Sequence, residues 1–576
     1  MKVRNMLKKR ELLTGIFSAI TVALILGLFY WRCGVYFETN DERYMIHILS
    51  GSMTGRPDPH VVYMNYILGV IFSSLYTLTT QVPWLGLFLI ACYYISYVCI
   101  MYCLVMKGRN IIEICAYWVT GILFVCMNLY IFCELQFTTI AGVLAITGYF
   151  LLVQDRKKNI GLFFVFEVLA IFVRDQSMML VQPMGFAILA CVILKDIWTK
   201  HKDVKSGIID MAKYAGVLCG VFVMAFIGNY VIGDYGSTEW KEYAAYNDLN
   251  TDLFDYYGRH YDEKIAEILQ KHNVTEADYQ CFINDWMCMS EIDNKCLIEI
   301  RDYVQSNYEI QRQSSMGTVL KKTLLECYGK NPSGYSLPAY DVFLTCSLLF
   351  VSVLLILKKK YHYFLWMIVI EVTKFVLMFY LVFKGRYPLR VTSILMFAEL
   401  LFLLFIVQQT GMILGGKVWK KVVLLGCTVL LLKDVLHREI FVYWDVRKSH
   451  IAKSEYTASI NELFDYWNKD ECGYLLDTGI VMFYTGEVLD TKWHGRQSFL
   501  WCGGWFYNSP TMYEAEERYL EQYDHELKTI VRVYDGKIDM HVLDRLRECG
   551  IEYKLSDTVQ LTNGEKYNVY MLKRVN

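Results

Sequence analysis

Two adjacent carboxylates, Asp41 and Glu42, stand in the stretch RCGVYFETNDERYMIHILSGSMTGRPDPH, residues 32–60, immediately after the first long apolar run. Carboxylates are costly at the mouth of a membrane segment, so chemistry is the first reason to look for. One carboxylate can take the proton of a hydroxyl as its oxygen attacks a carbon centre. A second beside it can orient the attacking group or hold a cation. The competing reading is structural. NDERYMIHILSG reads as a helix start, in which Asn40 or Asp41 would only cap the first turn.

The elements that must position this pair are membrane elements. The chain has 576 residues, 55% of them hydrophobic and 15% aromatic, with a net charge near zero. That excludes a single soluble domain and gives no ground for a nucleic-acid partner. The 18 cysteines show no CxxC pair and lie mostly inside apolar runs, where they act as small hydrophobes. Residues 1–10 carry five basic and no acidic residues and are expected in the cytoplasm. Residues 12–31 are the first span, and the 32–60 loop follows outside.

Residues 61–79 are apolar enough to cross, but charge argues against it. If they do not cross, the short links expected inside (107–110, 156–158, 195–205, 358–360 and 417–421) hold 15 Lys and Arg in total. The alternating outer links (134–136, 174–176 and 384–390) hold 4. We therefore read 61–79 as a helix along the outer interface. The remaining spans are placed at 84–106, 111–133, 137–153, 160–174, 177–196, 209–233, 341–357, 363–383, 391–408 and 420–436. With the first, that is about eleven. The chain then divides into an N-terminal membrane part (1–234), an external, mostly helical insert (235–340), a second membrane part (341–436) and an external α/β domain (437–576). The insert holds 17 acidic and 10 basic residues, with helical periodicity at 262–272 and 291–305. In the last part, strands such as 473–478 and 567–574 alternate with helices at 512–523 and 539–550.

FETNDERYMIHILSG, placed straight after a first span and followed by an interfacial helix, resembles the first external loop of the GT-C superfamily of polytopic glycosyltransferases. That superfamily includes protein O-mannosyltransferases and aminoarabinose transferases. The resemblance covers the architecture of roughly 1–436 and rests on the acidic dipeptide and its context. It implies sugar transfer from a polyprenyl-phosphate donor to a glycan, lipid or protein acceptor at the outer face of the plasma membrane. It also implies that Asp41 serves as base or acceptor-positioning group, with Glu42 in support. The insert and the C-terminal domain have no counterpart in it. The cofactor is left open; a divalent cation, Mg or Mn, held by Asp41 and Glu42 is the candidate.

A polyprenyl-phosphate donor leaves a phosphate, which cations at the outer face would bind. Arg174, and Lys384, Arg386 and Arg390 of FKGRYPLR, break the positive-inside pattern and are the candidates. The alternative is that they anchor their helices at the interface. Asp58 and His60 in the same loop, and Glu134 and Gln136 at an outer helix end, are candidates for the lining of a substrate cavity. The aromatic run WHGRQSFLWCGGWFY (493–507) suits either sugar stacking or core packing. Two other functions stay open: a transporter or flippase for lipid-linked glycans, and a non-catalytic envelope assembly protein. Charges in mid-span and paired halves with broken helices would mark the transporter.

Overall fold

The computed structural model describes residues 2–200, 203–258, 260–283, 292–312, 315–328, 338–410, 444–469, 472–477, 486–492, 494–495, 499–523, 526–534, 537–538, 540–548 and 550–574. The chain is a helical membrane protein. Among the described residues seven helices are long and apolar enough to cross a membrane: Lys8–Cys33, Trp84–Met106, Phe137–Gln154, Asp175–Thr199, Val204–Ile232, Tyr361–Lys384 and Leu389–Thr410. Four shorter apolar helices accompany them: Tyr66–Leu78, Ile111–Met127, Ile160–Val173 and Ser347–Leu357. The stretch read as a last span, 420–436, lies outside the described residues.

The chain forms two compact units, each assembled from three separated segments. The first comprises 1–38, 86–226 and 315–450; the second comprises 39–85, 227–314 and 451–576.

The first unit is centred on helix Phe137–Gln154. Its residues are apolar on every side, so it has no face to offer solvent and becomes the hub. It packs against helices Ile160–Val173, Asp175–Lys200 and Leu389–Thr410. Gly142 lets Ile394 approach closely, where any side chain would collide with it. Some polar side chains inside bond to one another. Gln154 Nε2 donates to Gln408 Oε1 at 2.8 Å, and Gln408 Nε2 donates to the Cys103 carbonyl at 3.3 Å. The stretch read as one span over 111–133 is broken at Asn128. Helix Ile111–Met127 ends there and a short helix, Leu129–Cys133, follows. The Asn128 side chain bonds back to the Phe124 carbonyl at 2.7 Å, competing with the helical ladder. A two-residue parallel bridge, β1 (Tyr36–Phe37) with β2 (Glu134–Leu135), closes one end of this unit.

The second unit holds helix Asp41–Ser50, helix Tyr66–Leu78, a helical layer from 238–312 and a six-stranded sheet. The helical layer has its own core, with Leu253, Ile265, Tyr279, Cys296, Leu297 and Ile300 at its centre. The sheet runs β4 (Phe499–Cys502), β3 (Gly473–Asp477), β5 (Leu527–Tyr534), β8 (Lys566–Arg574), β7 (Ile551–Gln560), with β6 (Lys537–Ile538) folded back on β5. β4, β3 and β5 are parallel; β5, β8 and β7 are antiparallel. Helices Pro510–Tyr523 and Met540–Glu548 supply crossovers between strands.

Candidate functional site

Helix Asp41–Ser50 starts at Asp41 itself. Its N-cap position is Asn40, which makes no side-chain cap bond. Asp41 and Glu42 therefore sit in the first turn, where the positive end of the helix dipole favours their charge. The Thr39 hydroxyl lies 3.4 Å from Asp41 Oδ2 and 3.3 Å from Glu42 Oε2, bridging the pair. Asp41 is half-exposed and Glu42 is fully buried. From Glu42 to Ser50 every residue of this helix is buried.

The next residue shows what holds the helix. Arg43 is 2% exposed. Its guanidinium donates to the carbonyls of Glu487 and Asp490 and lies 3.9 Å from the Asp490 carboxylate. Gly486 has φ +61° and faces that guanidinium; a side chain there would displace it. Tyr44 donates to the Gly503 carbonyl at 2.8 Å, and its ring lies beside Trp501 and Trp505. The 499–507 aromatics are thus the packing surface for the acidic helix, and their first four residues form β4.

The same loop brings Asp58 and His60 together. Gly51 ends the helix in the left-handed conformation, and the Asp58 N–H returns to the Ile48 carbonyl at 3.1 Å. Asp58 Oδ1 accepts both the backbone N–H and the Nδ1 of His60, each at 2.8 Å. In the tautomer that donates from Nδ1 to Asp58, Nε2 is the lone-pair nitrogen. Among the described residues Nε2 has no hydrogen-bond partner. The ring stacks on Trp240 at 4.9 Å and meets Tyr66 at 5.0 Å and Tyr235 at 5.7 Å. Burial, then the Asp58 charge, pushes both the Tyr66 and Tyr235 hydroxyls upward, so they stay protonated at neutral pH. This is an oriented imidazole base on an aromatic floor. It stands at the opposite end of the ten-residue helix from Asp41, about 14 Å along its axis.

The cationic candidates lie in the first unit, and two of them, Arg174 and Arg390, stand by the start of helix Phe137–Gln154. The Arg174 guanidinium lies 5.6 Å over the Phe137 ring and donates to Gln176 at 2.9 Å. The Thr139 hydroxyl donates to the Arg390 carbonyl at 3.0 Å, pinning the start of helix Leu389–Thr410 there. Lys384 and Arg386 stand in the tight link to the preceding helix, closed by Gly385 at φ 75°. Gln136 is different. It is fully buried, and its side-chain oxygen accepts the Thr138 and Thr139 N–H groups at 2.6 and 3.3 Å. It caps the helix. Glu134 is also buried and meets His450 Nε2 at 3.2 Å, while His450 Nδ1 meets the Cys33 carbonyl at 2.8 Å. These two side chains are engaged in holding the helix end.

Sequence reasoning passed over one cluster. Lys374, Glu371 and Glu399 lie in mid-helix and meet in the first unit, and Glu167, fully buried, is held by Gln182 at 3.0 Å. The signal was present: Glu371 and Lys374 are spaced i,i+3 inside an apolar run, which puts both on one helix face.

For a divalent cation, no group of three or more His, Cys, Asp or Glu side chains converges among the described residues. Asp41 and Glu42 would supply two of the oxygens Mg or Mn takes, which fits an ion held mainly by substrate phosphate and water. No protein-family model, curated protein or solved structure matches this chain.

Proposed function

We propose that this protein is a polytopic membrane glycosyltransferase of the GT-C kind. It would move a sugar from a polyprenyl-phosphate donor to a cell-envelope acceptor on the outer face of the plasma membrane. The observation that supports this best is the state of Asp41. Its carboxylate stands half-exposed at the start of a buried helix, at the first helical position and not at the N-cap. Asp41 takes the acceptor hydroxyl proton as the oxygen attacks the anomeric carbon. The bond from that carbon to the phosphate oxygen breaks, and the phosphate leaves as an anion. Glu42, which is buried, orients Asp41 through Thr39. Arg386, Arg390 and Lys384, with Arg174, bind the leaving phosphate. About eleven spans, a cytoplasmic N-terminus and external soluble parts complete the reading.

A second reading, a transporter for lipid-linked glycans, gains from the mid-helix charges Lys374, Glu371 and Glu399. One experiment separates the two. Purified protein in liposomes is given a polyprenyl-phosphate sugar and a soluble hydroxyl acceptor. Transfer that is lost in Asp41→Asn supports the enzyme. Movement of the lipid between leaflets without transfer supports the transporter.

A further inference from the structure

Three elements of the first unit converge on Lys374. Its ammonium lies 2.7 Å from Glu399 Oε2 and 3.0 Å from Glu371 Oε2, and 4.5 Å over the Tyr328 ring. The Tyr328 hydroxyl donates to Glu371 Oε2 at 3.0 Å. Lys374 and Glu399 are each 1% exposed. Lys374 is ten residues from the Lys384 end of its helix, and Glu399 is ten residues from the Leu389 end of the next. At 1.5 Å per residue both lie about 15 Å in, near half the thickness of a bilayer core.

Among the described residues charge and hydrogen bonding do not close. One ammonium faces two carboxylates, which leaves one negative charge in excess on a pair of which Glu399 is 1% and Glu371 18% exposed. The second oxygen of each carboxylate, Glu371 Oε1 and Glu399 Oε1, is buried with no donor among the described residues. Both carboxylates lie within 3.0 Å of the one ammonium. The other polar or titratable groups facing Lys374 are Tyr328 and Cys327, and neither brings a positive charge. A metal ion would need several more oxygens than these.

We propose that Glu371 and Glu399 share one bound proton beside Lys374, forming a protonation site in the middle of the membrane unit. A single proton on one of these oxygens makes it a donor that the other carboxylate can accept, and makes the group neutral. Two neighbouring carboxylates cannot both stay ionised where water is excluded. The site is separate from the transfer chemistry and does not depend on it.

Infrared difference spectroscopy of the full-length protein in lipid nanodiscs tests this, in the carbonyl-stretch region of protonated carboxyl groups. Glu371→Gln and Glu399→Gln should each lose the absorption of about one protonated carboxyl, because a lone carboxylate pairs with Lys374. The double variant should lose no more than either single one. Lys374→Met should gain about one, since both acids then become neutral. A melting curve checks that each variant is folded, and any folded single variant together with Lys374→Met suffices to decide. Unchanged absorption in the folded single variants, or a double loss in the double variant, overturns the shared proton.

Discussion

On the proposed reading Asp41, half-buried at the helix start, is the base, and Glu42, buried, supports it. Asp41→Asn keeps the shape and removes the base, so sugar transfer should fall about 10²–10⁴-fold while the melting temperature holds. Wild-type transfer by a folded Asp41→Asn protein would remove the catalytic assignment. His60→Gln makes a second test, because the Asp58–His60 pair has the geometry of a base about 14 Å away along the helix. If Asp41 takes the proton, His60→Gln should cost less than tenfold; a loss larger than that of Asp41→Asn would move the base to His60. A third residue sets a pH dependence. Burial, then the nearby Arg43 charge, holds His494 down at about 4 against an ordinary 6.5. The folded state thus binds fewer protons than the unfolded one between these values. The stability from neutral His494 is complete above about pH 6.5 and is lost as pH falls toward 4, about 2 kcal/mol of it by pH 5. The melting temperature should drop over that range, and the drop should be shallower in His494→Asn.

Several elements were legible in the sequence. The strands read at 473–478 and 567–574 are β3 and β8, and the helical periodicity at 262–272 is helix Glu263–Lys271. β4, whose four residues are all buried, lies inside the aromatic run 493–507, where the clustering of rings rather than a strand pattern was the visible signal. Its aromatics could equally be sugar platforms until the partners were visible. The Asp58–His60 pair escaped because two residues on either side of a proline carry no periodicity, and only the turn geometry unites them. Helix Tyr66–Leu78 has 13 residues, about 20 Å of rise against a core of about 30 Å. The link at 385–388 sets another element-scale expectation. Arg386→Ala or Arg390→Ala should weaken binding of a polyprenyl-phosphate sugar roughly ten- to a hundredfold, the equivalent of about 1.5–3 kcal/mol, with less effect on the acceptor. Equal donor affinity in both variants would make these residues anchors only.

At the scale of the whole molecule, linear reading divided the chain into four consecutive parts. The contacts divide it into two units, each interleaved from three segments. Composition shows where polarity changes but not which distant segments pair, and that is why the insert read at 235–340 contributes 235–314 to one unit and 315–340 to the other. Orientation remains an expectation from Lys and Arg placement. In a background without native cysteines, Lys448→Cys should label from outside and Lys157→Cys should not. The reverse pattern would invert the topology.

The tether of Arg43 has a consequence for how the protein is made. Its carbonyl partners lie 444 and 447 residues further along the chain. At about 5–20 residues per second, a ribosome delivers them roughly 20–90 s after Arg43 itself has emerged. Through that interval the helix carrying the acidic pair lacks the two carbonyls that its guanidinium meets in the folded protein, and its packing there is incomplete. Newly made protein should therefore pass through a protease-sensitive stage that ends only when residues near 490 are complete. Chains terminated at residue 450 should never leave it, and pulse-chase measurement would find them cleaved near residues 39–65 while full-length chains become resistant.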